Sequence, residues 1–283
     1  MAWTKLRKLA ELIKWEHTIF ALPFSYMGSF LAAQGWPAGS KIFWITVAMV
    51  GARSSAMAFN RLIDWQIDSR NPRTAGRHLP MRLVTSTDVL LLIIVSLGLL
   101  IFAAAQLNPL CVKLLPFVLL LVIYPYTKRF TWLSHFVLGM AIGCAPMGGW
   151  IAITGKIHPA TILLGLIVCF WVAGFDIIYA TLDYDFDRKE GLCSIPARFG
   201  IKNALIIARL SHVMVVVLLI VLGIYLRLDY FYAAGVLITA VLLHYEHYLA
   251  SPEDLSKVNL AFFNVNGTIS IILFVAVFLA IFM

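Results

Sequence analysis

The chain has 283 residues, of which 61% are hydrophobic and only 13% are charged, and its mean hydropathy is +0.90. Soluble domains carry about a quarter charged residues, so this composition excludes a large soluble helical protein and indicates a helical membrane protein. The net charge of +8 falls in the loops of such a protein, where it sets orientation and attracts anionic lipid or substrate, rather than marking a nucleic-acid partner.

Nine apolar stretches predict an all-α, polytopic membrane protein with nine transmembrane helices in one domain, residues 1–283. The helices are expected to surround a central cavity that the two longest loops, 64–85 and 183–201, cap on the cytoplasmic side. The predicted spans are 11–34, 41–63, 86–106, 109–127, 132–154, 159–182, 202–226, 230–250 and 260–282.

The distribution of basic residues predicts the orientation of these spans. Lysine and arginine are concentrated at the N-terminus and in the loops after the second, fourth and sixth spans, whereas the opposite loops carry few of them. The positive-inside rule therefore places the N-terminus in the cytoplasm. An odd number of spans then places the C-terminus outside, and both long loops face the cytoplasm.

Two acidic segments lie at the cytoplasmic ends of the second and sixth spans. In each, a polar residue is followed by two aspartates at intervals of four residues, which places all three on one face of a helix. Carboxylates are costly near a bilayer, so they normally mark a functional site. The segments are Asn60, Asp64 and Asp68, and Tyr179, Asp183 and Asp187.

The four aspartates predict a magnesium site that binds a diphosphate. Mg²⁺ prefers oxygen ligands and binds through one or two carboxylates plus substrate phosphate. No cluster of histidine and cysteine accompanies the acids in the sequence, which disfavours zinc or iron. Simple pairing with nearby arginine and lysine is the alternative for any one acid, but it explains two matching clusters on one side less well. The chemistry indicated is transfer of an isoprenoid group from its diphosphate, with Asp64, Asp68, Asp183 and Asp187 as metal ligands.

Basic residues near the acidic segments are candidates for binding the diphosphate. Arg73 and Arg77 follow the first segment, and Lys128 and Arg129 end the fourth span. Arginine can bind phosphate oxygens with two parallel hydrogen bonds. Arg70 and Lys202 are not candidates, because the usual excess of basic residues in cytoplasmic loops is enough to explain their presence.

Further polar residues within or beside the spans are expected to act in or near the site. Arg53 lies deep in the second span and needs a partner, for which Asp176 in the sixth span is a candidate. Asp176 and Tyr179 are also candidates for binding substrate. Glu16 and His17, at the start of the first span, are expected either to contact a polar aromatic substrate or to lie in the lipid headgroup layer.

The two acidic patterns, together with the order of the spans, resemble the UbiA superfamily of intramembrane aromatic prenyltransferases over essentially the whole chain. The segments 71–80, 124–129 and 191–196 also look like this family. The chain is most similar to the bacterial 4-hydroxybenzoate polyprenyltransferase branch. Its segment 16–24 resembles the subgroup that prenylates a dihydroxynaphthoate on the futalosine route to menaquinone.

This resemblance implies a Mg²⁺-dependent transfer of a polyprenyl group from polyprenyl diphosphate to 4-hydroxybenzoate or a dihydroxynaphthoate, in ubiquinone or menaquinone biosynthesis. Asp64 and Asp183 are implied to be catalytic, and Asn60, Arg77, Lys128, Arg129, Tyr179 and Asp176 to bind substrate. The enzyme is expected in the bacterial plasma membrane with its active site facing the cytoplasm. No obligatory protein partner is expected.

Two alternatives remain open. Another member of the superfamily, such as a chlorophyll, haem or archaeal lipid prenyltransferase, has the same motifs. A membrane transporter also carries charged residues within its helices, but it predicts acids near the middle of the bilayer and broken helices there. In this chain the paired acids lie at the cytoplasmic edge of the spans.

Overall fold

The computed structural model describes residues 2–14 and 18–283, with side chains described for 5–14 and 22–283. This part of the chain contains helices and turns and no strand. The helices are α1 (Ala2–Leu12), α2 (Thr18–Ala33), α3 (Gly39–Ile63), α4 (Trp65–Arg70), α5 (Ser86–Leu107), α6 (Pro109–Lys113), α7 (Leu119–Thr127), α8 (Ser134–Thr154), α9 (Pro159–Ala180), α10 (Tyr184–Glu190), α11 (Ile195–Phe199), α12 (Ile201–Leu226), α13 (Tyr230–Leu249), α14 (Val258–Leu260) and α15 (Asn266–Phe282). Short 3-10 turns lie at Leu115–Val118 and Thr181–Asp183, and a π turn lies at Ala261–Val265.

Six helical segments of the described residues are long and apolar enough to cross a membrane. They are α3, α5, α8, α9 with its extension to Glu190, α12, and the segment Val258–Phe282. These six correspond to the second, third, fifth, sixth, seventh and ninth predicted spans. The prediction of an all-helical, polytopic membrane protein is thereby confirmed.

The other three predicted spans are not confirmed as membrane-crossing helices. The first is divided between α1 and α2. The fourth is broken into α6, a 3-10 turn and α7, because Pro116, the second residue of the 3-10 turn, cannot continue the hydrogen-bonding pattern of α6. The eighth matches α13, but the polar residues His244, Glu246 and His247 in its last turns lower its hydropathy.

The long helices pack in a ring. In order around it, α2 contacts α8, α8 contacts α9, α9 contacts α12, α12 contacts α13, α13 contacts α15, and α15 returns to α2. α3 lies beside this ring, packed on α5 and in contact with α2, α7 and α8. The largest hydrophobic cluster joins α2, α8, α9, α12, α13 and α15. The predicted central cavity stays a prediction.

Alternating helix directions bring several polar helix ends to one end of the molecule. The C-terminal ends of α3, α7, α9 and α13 lie there with the N-terminal ends of α5, α8 and α12. The loop before α5 ends in a capping box, in which Asp88 N–H donates to Thr85 Oγ1 at 3.2 Å and Thr85 N–H donates to Asp88 Oδ2 at 3.1 Å. α10 ends at Gly191, whose φ of 67° is the left-handed conformation that terminates a helix and turns the chain back.

α2 and α8 approach closely through glycine. A Cβ atom on Gly149 would lie 2.1 Å from the carbonyl oxygen of Ser25, and one on Gly28 would lie 2.1 Å from that of Pro146. Both glycines are therefore required by the contact. The sequence Gly148-Gly149 is typical of close helix packing. That interpretation applies to Gly149 and not to Gly148, around which a Cβ would meet nothing within 4 Å.

Replacing Gly149 with alanine is expected to destabilise the protein, because the Ser25 carbonyl belongs to a helix backbone and cannot move aside. Overpacking of this kind costs about 1–3 kcal/mol. Gly148→Ala is the matched control, and it should leave stability unchanged or raise it slightly, since alanine favours a helix over glycine by about 1 kcal/mol. Thermal unfolding of the purified protein in detergent measures both. Equal melting temperatures for the two variants would contradict the close approach of α2 and α8.

Candidate active site

The first acidic segment crosses a junction between two helices. α3 ends at Ile63 and α4 begins at Trp65, so Asp64 is the residue between them. The hydrogen bonds of a helix nevertheless continue across it: Asp64 N–H donates to Asn60 O at 3.0 Å, and Asp68 N–H donates to Asp64 O at 2.8 Å. Asn60, Asp64 and Asp68 therefore keep the four-residue register that places them on one face.

Asp64 is 2% exposed and is held by three residues. Lys128 Nζ, at the end of α7, donates to Asp64 Oδ2 at 2.6 Å, and Asn60 Nδ2 donates to the same oxygen at 3.1 Å. Arg129 Nη2 lies 3.6 Å from Oδ1 while donating to the carbonyl of Ile63 at 2.7 Å. Among the residues that the structure describes, no group donates a hydrogen bond to the buried Oδ1. One oxygen of Asp64 thus remains available to a further ligand.

Asp68 is buried one helical turn later and pairs with an arginine of the following loop. Nη1 of Arg77 lies 2.7 Å from both carboxylate oxygens. The hydroxyl of Thr74 donates to the carbonyl oxygen of Asp68 at 3.0 Å, which fixes the loop against α4. The loop after α4 therefore folds back onto α4.

The second acidic segment lies where α9 passes through a 3-10 turn into α10. Asp183 accepts hydrogen bonds from Asn71 Nδ2 and Arg73 Nε, each at 2.8 Å, and from Arg73 Nη2. Nη1 of Arg73 donates to the Tyr179 hydroxyl at 2.8 Å, and the guanidinium carbon lies 4.8 Å from the centre of that ring. Burial opposes the charge of Arg73, but the hydrogen bond and charge of Asp183 raise its pKa above the usual value. Asp187 is partly buried on the face of Asp183, whereas Asp185 points away and is exposed.

Contacts between loops bring the two acidic segments together. Asn71 and Arg73 belong to the loop after α4, yet they bind Asp183 at the end of α9. Arg70 and Glu190 form a second bridge, with Nη1 and Oε2 separated by 2.6 Å. In addition, Cys193 N–H donates to the carbonyl of Lys128 at 2.6 Å. Three segments that are distant in the sequence thus form one charged surface at this end of the molecule.

Asp176 pairs with His135 and not with Arg53. The structure places Asp176 Oδ2 2.7 Å from His135 Nδ1, so the predicted pairing with Arg53 is wrong. Arg53 Nε is buried and has no hydrogen-bond partner among the described residues. α9 presents Asp176 beside α8, where His135 opens the helix, whereas Arg53 on α3 lies nearer to Tyr124.

The contacts of His135 define which of its nitrogens carries the proton. Ile195 N–H donates to His135 Nε2 at 3.3 Å, so that nitrogen is the acceptor. In the neutral ring Nδ1 then carries the hydrogen and donates it to Asp176. His135 is 4% exposed, so it connects the loop before α11 rigidly to Asp176. The Asp176 side chain is 26% exposed and lies one helical turn before Tyr179.

Aromatic side chains flank the charged surface. Phe262, in the π turn, stacks on Tyr179 with ring centres 4.2 Å apart and meets the edge of Phe175 at 5.2 Å. On the other side of Asp64, a cavity of about 370 Å³ opens between α3 and α7. Its lining consists of Phe59, Leu62, Ile63, Trp65, Gln66, Val122 and Tyr126. None of the paired acids lines this cavity, so its apolar surface lies on a different face of α3 from Asn60 and Asp64.

The donor set fits a magnesium ion that shares its ligands with a substrate. The side chains of both acidic segments present oxygen atoms, and Asp64 Oδ1 has no hydrogen-bond partner. Among the described residues, no group of three histidine, cysteine or acidic side chains is arranged to hold a metal alone. Mg²⁺ at phosphate sites usually binds through one or two carboxylates together with substrate oxygens, and these side chains fit that mode.

Several contacts in this region were not predicted from the sequence. Asn71 and Arg73 on Asp183, His135 on Asp176, and Phe262 on Tyr179 all depend on which helix ends are neighbours. Arg73 carries a weak signal, since it follows an acidic segment closely. The predicted contribution of Glu16 and His17 lies outside the described residues.

Comparisons with known proteins agree on one family. Residues 21–282 match the model of the UbiA prenyltransferase family. A 4-hydroxybenzoate octaprenyltransferase from Aliivibrio salmonicida (strain LFI1238) is 33% identical over 272 residues, covering 96% of this chain and 92% of the relative. The apo structure of a UbiA homolog from Aeropyrum pernix K1 is 33% identical, with a TM-score of 0.86, covering 93% of this chain and 98% of that chain. A UbiA homolog from Archaeoglobus fulgidus bound to GPP and Mg²⁺ shares the fold at 19% identity and a TM-score of 0.74, covering 98% of this chain and 100% of that chain.

Replacing Lys128 with methionine is expected to destabilise the protein, because it leaves the buried Asp64 carboxylate without its nearest cation. Breaking a buried pair costs about 3–5 kcal/mol, and Arg129 at 3.6 Å should hold the loss near the lower end. Adding Asp64→Asn to this variant should restore much of the stability. Thermal unfolding measures both, with Lys156→Met as the control at an exposed lysine. A melting temperature unchanged by Lys128→Met would contradict the importance of the pair.

Proposed function

Because the chain belongs to the UbiA prenyltransferase family, we propose that it transfers a polyprenyl group from a polyprenyl diphosphate to a small aromatic acid. The observation that carries this proposal is the pairing of acids with bases at the end of the helices. Asp64 is held by Lys128, Asp68 by Arg77, and Asp183 by Arg73. The acidic and basic side chains of this surface are therefore already held in place. The acidic ones can bind the metal, and the basic ones can bind the diphosphate.

The binding of a metal–diphosphate complex would exchange partners within this surface. The basic side chains prefer phosphate oxygens as strongly as carboxylates, and arginine binds either with two hydrogen bonds. Arg77, Lys128 and Arg129 would turn to the diphosphate, with Asn60 and Tyr179 as neutral contacts beside it. The carboxylates released in this way would bind the metal.

We assign the metal to Asp64, Asp68, Asp183 and Asp187. When bound, Mg²⁺ supplies the positive charge that stabilises the departing diphosphate. Asp64 and Asp183 are the catalytic pair, since each is the central residue of its segment and is already in contact with a cation. The prenyl chain would lie along the aromatic residues around Tyr179, which include Phe262 and Phe175.

The aromatic acceptor would bind on the side of Asp176. His135 holds one oxygen of Asp176, and the partly exposed carboxylate can accept a hydrogen bond from a phenolic hydroxyl group. The relative from Aliivibrio salmonicida supports 4-hydroxybenzoate as the acceptor, and a product in ubiquinone biosynthesis. A dihydroxynaphthoate carries the same hydroxyl and carboxylate groups, so it belongs in the test.

The site would face the cytoplasm. Most of the arginine and lysine residues of the loops lie at the end of the molecule that carries the acids, which is the cytoplasmic end under the positive-inside rule. The N-terminus would then lie in the cytoplasm and the C-terminus outside, in a bacterial plasma membrane.

The proposed reaction can be tested directly with the purified protein. Incubation with Mg²⁺, a polyprenyl diphosphate and either 4-hydroxybenzoate or dihydroxynaphthoates should yield a prenylated aromatic acid, detected by mass spectrometry. Removal of divalent cations with a chelator should abolish the product, and added Mg²⁺ should restore it. Full turnover after exhaustive chelation would refute the assigned role of the metal. The absence of any prenylated aromatic acid would refute the substrate class.

The assignment of residues predicts different effects within one acidic segment. Asp183→Ala and Asp64→Ala should each reduce turnover by at least about a hundredfold, as expected when a main stabiliser of leaving-group charge is lost. Asp185→Ala is the matched control, because this exposed carboxylate points away from the face of Asp183. Prenyl transfer by folded, membrane-inserted variants measures the difference. If Asp185→Ala is as damaging as Asp183→Ala, the assignment of the face is wrong.

A further inference from the structure

A second cavity, lined mainly by polar residues, lies at the same end of the molecule as the acidic segments. Its volume is about 450 Å³, and it lies between the first turns of α12 and the last turns of α13. The chain between α13 and α14 closes it. Its lining residues are Arg209, His244, His247, Tyr248, Leu249, Ser251, Asp254 and Lys257. None of these residues belongs to the candidate active site.

The cavity carries an excess of positive charge. Arg209 and Lys257 line it from opposite sides, and neither has an ion pair or side-chain hydrogen bond within the described part of the chain. The single acid, Asp254, accepts a hydrogen bond from Ser256 N–H at 2.9 Å and lies near Lys257. With neutral histidines, the two cations and one carboxylate leave a net charge of about +1. That charge matches one phosphodiester group.

A buried histidine adds a second requirement for the ligand. His247 is 6% exposed, and its Nε2 lies 3.0 Å from His212 Nδ1. His212 Nε2 lies 3.3 Å from the carbonyl oxygen of Trp171, which can only accept, so His212 carries its hydrogen on Nε2. His212 Nδ1 is therefore the acceptor, and His247 donates from Nε2. This leaves Nδ1 of His247 as an acceptor, and no described residue donates a hydrogen bond to it.

The surface around the cavity is suited to the boundary of a membrane. Arg209 lies eight residues into α12, about 12 Å from the start of the helix at 1.5 Å per residue. Tyr248 is 78% exposed beside the cavity and Leu210 is 63% exposed next to Arg209, with Tyr245 also exposed. Exposed tyrosines next to apolar residues are typical of the headgroup region. A ligand from the lipid phase would therefore reach the cavity without leaving the membrane.

We propose that this cavity binds the headgroup of an anionic glycerophospholipid that also carries a hydroxyl group, of the phosphatidylglycerol type. Arg209 and Lys257 bind the phosphate, and a headgroup hydroxyl donates to Nδ1 of His247. The acyl chains leave along the exposed apolar surface beside Tyr248. The positive charge of Arg209 and Lys257 is the reason for assigning a phosphate, and the acceptor Nδ1 of His247 is the reason for assigning a hydroxyl group.

Lipid binding by the detergent-purified full chain tests the proposal without any measurement of turnover. Native mass spectrometry compares phosphatidylglycerol with phosphatidic acid and phosphatidylcholine, and the melting temperature is measured with the same lipids and with inorganic phosphate. The wild type should retain phosphatidylglycerol in preference to the other lipids, and inorganic phosphate should give no comparable rise in melting temperature. Arg209→Gln combined with Lys257→Gln should weaken phosphatidylglycerol binding by at least about tenfold, since hydrogen bonds to charged groups are lost. Lys202→Gln, an exposed cation on the same helix outside the cavity, should bind as the wild type does.

His247→Phe tests the hydroxyl contact separately. It should remove the preference for phosphatidylglycerol over phosphatidic acid while leaving phosphatidic acid binding nearly unchanged, because the phosphate contacts remain. Equal binding of phosphatidylglycerol and phosphatidylcholine by the wild type, or no effect of the Arg209 and Lys257 changes, would overturn the proposal. Stabilisation by inorganic phosphate equal to that by phosphatidylglycerol would show a site for free phosphate and would overturn the assignment to lipid.

Discussion

The carboxylate of Asp64 is almost fully buried where α3 ends, so its charge must be compensated inside the protein. The same holds for Asp68, and in part for Asp183. An unpaired carboxylate in such a place costs several kcal/mol. The structure satisfies this requirement with basic side chains from other segments, namely Lys128 from α7, Arg77 from the loop after α4, and Arg73 from the same loop.

This requirement explains the shape of the end of the molecule that carries the acids. The loop after α4 is long because it must return to Asp68 and then extend to Asp183 at the end of α9. The loop after α10 is fixed from the other side through the hydrogen bond between Cys193 N–H and the Lys128 carbonyl. The charged pairs thus hold together helices that are distant in the sequence. A ligand that changes the partners of these charges acts on all of these segments at once.

The sequence predicts what depends on local spacing. The interval of four residues placed Asn60, Asp64 and Asp68 on one face, and the hydrogen bonds of the backbone preserve that register even though the helix is interrupted at Asp64. Six of the nine predicted spans are long apolar helices for the same reason, because hydropathy over some twenty residues is a local property. The fourth span is the exception, because Pro116 interrupts it and its high hydropathy does not reveal that break.

Contacts between helices could not be predicted in this way. The sequence favours a pair between Asp176 and Arg53, because each is a charged residue within a predicted span. The partner in the structure is His135, whose position near the start of a span gives no sign of this contact. Likewise, Phe262 reaches Tyr179 through a π turn near the C-terminal helix. Both contacts depend on the order of helices around the ring, and one sequence does not specify that order.

When a metal–diphosphate complex binds, we expect the acids and bases of this surface to exchange partners. The affinity for a non-reactive polyprenyl diphosphate analogue, measured by calorimetry over a range of Mg²⁺ concentrations, tests this claim most directly. We expect Mg²⁺ and the analogue to strengthen each other's binding to the protein by the same factor, as thermodynamic linkage requires. We further expect this coupling to disappear when Asp64 and Asp183 are both replaced by asparagine. Equal affinity for the analogue with and without a divalent cation in the wild type would contradict the account.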